Sequence, residues 1–222
     1  MQLRPPSKNV TPLGDILESR RSTTFPVEAN EGFRRVHQED TCQALAIAPT
    51  RKYQNDGGPG IRDIFSLLKT YSSSPDEDAD TFIDSIAYYW LIAGTDAHGK
   101  NYALLLASQN QIRLAPLYDI ASILPYKDID IESAKFAMKI GGEYRLGKIG
   151  FRNWQKLAVE LGLDAQKTIV RVDQMARNLT RQVSDVERRM TEEGITHPII
   201  ARLAAQIATR SKACGQLLAD AR

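Results

Sequence analysis

Apolar residues along this chain alternate between helical and strand-like spacing, with turn residues between the runs. Phe82, Ile83, Ile86, Ala87 and Trp90 recur at three- and four-residue steps, which places them on one face of a helix. Ser74, Pro75 and Glu77 read as its start: an N-cap, a proline at the first helical position and a capping box. Gly94 reads as its end, a residue free to turn left-handed. Residues 37–46 read as a short helix that breaks at Pro49, and Asp56 to Gly60 as a tight turn. Ile61, Ile64, Phe65 and Leu68 then predict another helix.

Two short apolar runs, Tyr102 to Ser108 and Ile112 to Tyr118, flank the polar turn Gln109-Asn110-Gln111 and read as a hairpin. Phe136, Met138 and Ile140 alternate into a short strand that stops at Gly141-Gly142. The remainder is helical. Phe151, Trp154, Leu157, Ala158 and Leu161 line one helix, stopped by Gly162, and Asp164 caps the next. Its seam runs through Ile169, Val172, Ala176, Leu179, Val183, Val186 and Met190. The flanking Arg171, Arg177, Arg181, Arg188 and Arg189 read as a solvated fringe. A final helix restarts at Thr196-His197-Pro198. The predicted class is mainly α with a small β-hairpin.

Composition narrows the picture only modestly. The chain has 222 residues, 42% hydrophobic and 25% charged, with a formal net charge of +2. These values fit one ordinary globular domain and give no electrostatic case for nucleic acid. Cys42 and Cys214 stand far apart in apolar surroundings, so reduced core thiols are expected. The opening residues lack the apolar stretch of a signal peptide, and no apolar run is long enough to span a bilayer; a cytoplasmic location is expected.

The chemistry concentrates in Thr95-Asp96-Ala97-His98-Gly99-Lys100-Asn101, with Asp119 downstream. Phosphoryl transfer needs a carboxylate to hold the attacking hydroxyl. It also needs oxygen ligands for magnesium, and Asp-x-x-x-x-Asn followed by a later Asp supplies both. A hairpin between Asn101 and Asp119 would bring its two outer ends to one ion. Asp96, in the preceding loop, would be free to meet a substrate hydroxyl. Lys100 could offset phosphoryl charge or be a solvated lysine. His98 could shape the loop, touch substrate, or form half of a metal-hydrolase site with Asp96. Gly57-Gly58-Pro59-Gly60 lacks the Gly-Lys-Ser/Thr of a phosphate loop and reads as a structural turn. The acidic run Asp128 to Glu132 reads as a solvated loop.

These motifs resemble the catalytic core of HipA-type toxin kinases, over roughly residues 36 to 220. His37 to Leu45, Lys52 to Gly60, Leu114 to Ile120 and Lys135 to Tyr144 fit the same family in the same order. The resemblance implies a kinase-like C-terminal lobe over residues 36–222 and a serine/threonine protein kinase of a type II toxin–antitoxin system. By motif match, Asp96 resembles the catalytic base, with Lys100 beside it, and Asn101 and Asp119 resemble the magnesium ligands; ATP is the phosphoryl donor and His98 adjoins it. It further implies an antitoxin partner of the HipB type, contact with DNA only through that partner, and a protein substrate such as an aminoacyl-tRNA synthetase. Residues 1–35 depart from the family and read as an irregular arm. The only glycines before residue 57 are Gly14 and Gly32, and the only lysine before residue 52 is Lys8. The chain therefore lacks a recognisable glycine-rich loop and ATP lysine. A non-catalytic lobe that binds an antitoxin or a partner chain is the alternative expectation.

Overall fold

The computed structural model describes residues 24–25 and 34–219. Residues 1–35, expected to be an irregular arm, lie outside the described residues except for strands β1 (Thr24–Phe25) and β2 (Arg34–Arg35), which pair antiparallel. Strand β3 (His37–Asp40) and helix α1 (Thr41–Ala44) follow, then α2 (Ile61–Tyr71) and α3 (Pro75–Leu91). Strands β4 (Ala103–Leu106) and β5 (Ile112–Leu114) form the expected hairpin. Strands β6 (Lys135–Ile140) and β7 (Glu143–Arg145) form a second one. Helices α4 (Phe151–Glu160), α5 (Ala165–Glu192) and α6 (Pro198–Ala219) complete a mostly helical architecture.

Helix α3 is the centre of the molecule. Phe82, Ile86 and Trp90 are wholly buried, but so are Ser85, Tyr89 and Leu91 on its other faces. Over residues 82–91 the helix is enclosed on all sides, as in a domain interior, while Asp76, Glu77 and Asp80 near its start stay exposed. Trp90 meets Trp154 of α4 edge-on, with ring centroids 5.6 Å apart. The Trp90 carbonyl, at the helix end where intrahelical donors run out, accepts two hydrogen bonds from the Arg210 guanidinium of α6, at 3.0 and 3.2 Å.

Several local expectations are revised. Residues 37–40 are a strand, not the first turn of a helix: β3 pairs with the outer edge of β4, from His37 opposite Leu106 to Asp40 opposite Ala103. Its residues carry no apolar alternation, so only the pairing partner dictates the extended form. The helix begins at Thr41 instead, where the Asp40 side chain accepts from the Gln43 N–H at 2.9 Å. Ser74 makes no side-chain cap on α3 and there is no capping box: the Ser74 N–H donates to the Ser72 hydroxyl at 3.0 Å, and Glu77 pairs with Arg113 at 2.9 Å. The left-handed residue after α3 is Ala93, at φ 51°, not Gly94. Gly94 is needed for space: a β-carbon there would lie 2.5 Å from the Tyr89 ring and 2.9 Å from the Ala121 carbonyl oxygen. By contrast, Gly162 is left-handed at φ 69° and Asp164 caps α5 through the Lys167 N–H, as the pattern predicts.

Arg171 is not part of a solvated fringe. Its guanidinium donates to Asp84 of α3 at 2.6 Å and to Asp80 at 2.7 Å, tying α5 to the central helix. Burial pushes the Asp84 carboxyl above its usual range, against the pull of Arg171. Cys42 and Cys214 are buried free thiols. Among the described residues no helix is long and apolar enough to cross a membrane.

A second buried carboxylate fastens the hairpin. Asp78, 3% exposed, accepts from the Leu114 N–H at 2.8 Å, from Arg113 at 3.0 and 3.1 Å, and from the Ser72 hydroxyl. Asp78→Ala takes the acceptor from the buried Ser72 hydroxyl and the half-buried Leu114 N–H, and leaves Arg113 with Glu77 alone among the described residues. It is expected to cost about 2–4 kcal/mol of stability, measured by urea unfolding, with Leu114 amide exchange accelerated. A second expectation concerns alkaline pH. Burial pushes the Cys214 thiol from its ordinary 9.0 up to about 11. The folded state thus keeps a proton that the unfolded chain releases, so this contribution is complete below pH 9 and is lost as pH rises towards 11. Cys214→Ala should flatten that part of the melting-temperature profile.

Candidate functional site

The segment between α3 and β4 is loop apart from one 3₁₀ turn, Gly99–Asn101, yet Ala97, His98, Gly99 and Asn101 are buried. Buried backbone outside regular structure must find partners elsewhere. The Gly99 N–H donates to the Lys52 carbonyl at 3.2 Å, and the Gly99 carbonyl accepts from the Thr41 hydroxyl. The Lys100 carbonyl accepts from the Tyr118 hydroxyl at 2.5 Å. The Tyr102 carbonyl accepts from the Thr41 N–H at 2.9 Å. A β-carbon on Gly99 would lie 2.4 Å from Pro59 and 3.1 Å from the Cys42 sulfur, so this position has room only for glycine.

Asp96 stands at the mouth of this loop. Its carbonyl is gripped by the His98 N–H at 2.8 Å and by the Asn101 side-chain amide at 2.7 Å. Its carboxylate is half exposed, at 52%, and accepts from the Tyr53 hydroxyl at 2.6 Å. That hydrogen bond to Asp96, with burial and the nearby carboxylate charges adding to it, pushes the Tyr53 phenol up to about 12. His98 is 4% exposed, with Nε2 3.9 Å from the same Asp96 oxygen and its ring edge-on to Tyr53 at 5.1 Å. Burial lowers its pKa below the usual histidine value, against the pull of Asp96, so a neutral imidazole is favoured.

The hairpin places Asn101 and Asp119 at its open end. Leu104 is opposite Leu114, and the Ala115 N–H reaches the Ala103 carbonyl at 2.8 Å. Regular pairing ends there, and Asp119 follows in a left-handed conformation at φ 56°. Asp and Asn tolerate that region better than other non-glycine residues. The Asp119 carboxylate is exposed, with no hydrogen bond or ion pair among the described residues. Asn101 spends its amide nitrogen on Asp96, which leaves the amide oxygen as its free end. Both carboxylates act on the same two rings. Beyond the larger effect of burial, Asp119 and Asp96 raise the pKa of the Tyr89 phenol, and both pull the His98 imidazole upward. Asp96 and Asp119 therefore share one neighbourhood, and neither is packed into an apolar interior.

Lys100 is not a freely solvated lysine: its ammonium lies 2.9 Å from the Asp40 carboxylate. That pair and the Asp40 cap on α1 link the loop to the β3–α1 junction. Two residues near the centre escaped the expected set. Tyr53 touches Asp96 directly, and Lys52, whose ammonium sits 5.0 Å from the Tyr53 ring, bears electrostatically on His98. Both lie within the family-like Lys52 to Gly60 stretch. Sequence gave no sign that this stretch folds back onto a loop 43 residues downstream.

Comparison with known proteins gives the chain a family. Residues 20–183 match the family model described as HipA-like C-terminal domain, starting ahead of β1 and ending within α5. The Sinorhizobium fredii protein named "Putative kinase Y4mE" is 33% identical over 185 residues, covering 83% of this chain and 43% of that protein. The Shewanella oneidensis serine/threonine-protein kinase toxin HipA is 26% identical over 162 residues, covering 68% of this chain and 36% of the relative. The chain thus spans less than half the length of these curated relatives. A solved complex of HipA, HipB and operator DNA from the Shewanella oneidensis MR-1 toxin–antitoxin system shares the fold. Its TM-score is 0.76 at 21% identity, over 91% of this chain and 49% of the other. With the family model matched over most of its length, the chain belongs to the HipA-like C-terminal domain family.

Proposed function

We propose that this chain is the catalytic lobe of a HipA-like protein kinase, transferring the γ-phosphoryl group of ATP to a serine or threonine hydroxyl of a protein. One observation supports the proposal: Asn101 binds the Asp96 carbonyl, and the carboxylates of Asp96 and Asp119, the latter unpaired among the described residues, both act on Tyr89 and His98. The donor set of Asn101 and Asp119 fits Mg²⁺. An amide oxygen and a carboxylate oxygen are hard ligands, and two protein ligands leave positions for phosphate and water. Bound there, the ion would neutralise charge on the nucleotide phosphates.

The protein's own groups take the remaining tasks. Asp96 accepts the hydrogen bond of the acceptor hydroxyl and orients its oxygen towards the γ-phosphorus. As the new O–P bond forms and the bond to the bridging oxygen breaks, the hydroxyl proton passes to the Asp96 carboxylate. Asn101 serves twice, holding the Asp96 carbonyl with its nitrogen and offering its oxygen to the ion. Lys100 and Asp40 keep the loop in register. His98, buried and neutral, packs behind Asp96 and next to the nucleotide. A HipB-type antitoxin is the proposed partner, supported by the HipA–HipB–DNA complex that shares this fold.

A second reading, for which the HipA–HipB–DNA complex that shares this fold also speaks, is a lobe that binds an antitoxin or a partner chain without gripping ATP itself. Titration calorimetry of ATP with MgCl₂ separates the two. The catalytic reading expects binding that disappears on chelation of Mg²⁺ and in Asp119→Ala. Absence of binding by the wild-type chain, or binding unchanged in Asp119→Ala, rejects it. Asp96→Asn should keep ATP binding while phosphoryl transfer falls about 10²- to 10⁴-fold, measured with radiolabelled ATP.

A further inference from the structure

Asp96 is clamped twice through its backbone, but its carboxylate has one short hydrogen bond, from Tyr53 at 2.6 Å. The rotation of a half-exposed carboxylate is otherwise free, and a general base must keep its geometry to act. Tyr53 is itself rigidly mounted. The Lys52 carbonyl beside it binds the loop at Gly99, and the next side chain, Gln54, accepts from the Lys139 N–H of β6 at 2.7 Å. Its ring lies against His98 on one side, with the Lys52 ammonium near it. The Lys52–Gln54 segment therefore spans from the loop to β6, with the phenol directed at one oxygen of Asp96.

We propose that Tyr53 is a positioning residue for phosphoryl transfer: its hydroxyl fixes Asp96 Oδ1, so that Oδ2 is presented to the acceptor hydroxyl. This rests on the phosphoryl-transfer function proposed above. The phenol keeps its proton across the neutral range, so it stays a donor to the carboxylate and does not compete as a base. Tyr53 and Thr95 also line a cavity of about 210 Å³ with Asn55, Asp56, Phe136 and Tyr144. That cavity adjoins Asp96 through its chain neighbour Thr95 and offers space beside the base for the residue that carries the acceptor hydroxyl.

The test compares wild type, Tyr53→Phe and Asp96→Asn as full chains, with radiolabelled ATP and MgCl₂, using dephosphorylated casein and the chain itself as acceptors. Tyr53→Phe keeps the ring against His98 and removes only the hydroxyl. The expected result is a kcat lower by about 10- to 100-fold, with the KM for ATP within about twofold of wild type and an unchanged melting temperature. An unchanged kcat overturns the role of Tyr53. So does a fall in kcat matched by a fall in melting temperature, because the tyrosine then acts as a structural anchor. Wild-type transfer no greater than that of Asp96→Asn overturns the proposed function instead, and the role of Tyr53 with it.

Discussion

The arrangement of this lobe follows from the need to satisfy the backbone of a buried loop. Residues 97–101 lie largely inside the molecule with only one 3₁₀ turn, Gly99–Asn101, of their own, and there each unpaired N–H or C=O is costly. Several partners come from distant parts of the chain, Thr41 from α1, Lys52 from the turn before α2 and Tyr118 from beyond β5, while His98 pairs locally with Asp96 and Asn101. These segments can reach the loop only if β3 lies along β4 and Pro59 closes over Gly99. The polar accounting of a few residues thus sets the docking of three elements. It also explains why short, polar β3 is a strand at all.

The same economy governs the charges. Asp78 and Asp84 are buried carboxylates on α3, and each is matched to a guanidinium and directed at another element: Asp78 at β5 and Asp84 at α5. They join the hairpin and the helical layer to the one helix that both surround. Asp96 and Asp119 are left outside this scheme, one held by a single phenol and the other unpaired among the described residues. Negative charge kept near solvent and uncommitted is available for a cation or a proton, whereas the buried pair on α3 is consumed by structure.

Much of this was legible in the sequence because it depends on local rules. The helical periods, the hairpin around Gln109 and Asn110, the left-handed Gly162 and the Asp164 cap are read from a few consecutive residues. Asp96, Asn101 and Asp119 were legible as a spacing, and the hairpin that closes the distance between the last two was legible as well. What escaped depends on contacts across the chain. Tyr53 sat within the family-like Lys52 to Gly60 stretch, with nothing local to tie it to Asp96. Glu77 looked like a cap until Arg113 claimed it, and Arg171 looked solvated until Asp84 appeared beneath it. Gly94 was correctly singled out for the wrong reason. Helix geometry suggested a left-handed turn, but crowding by Tyr89 and Ala121 sets the requirement.

Cys42 adds a built-in reporter to this design. Its sulfur is sealed beneath Gly99, 1% exposed, and burial holds its thiol above the ordinary value, so it is a poor nucleophile while the loop is seated. Alkylating reagents can reach it only when the loop lifts from α1. Its labelling rate would therefore clock how often the segment bearing Asp96 leaves its place, in the resting protein and with nucleotide bound.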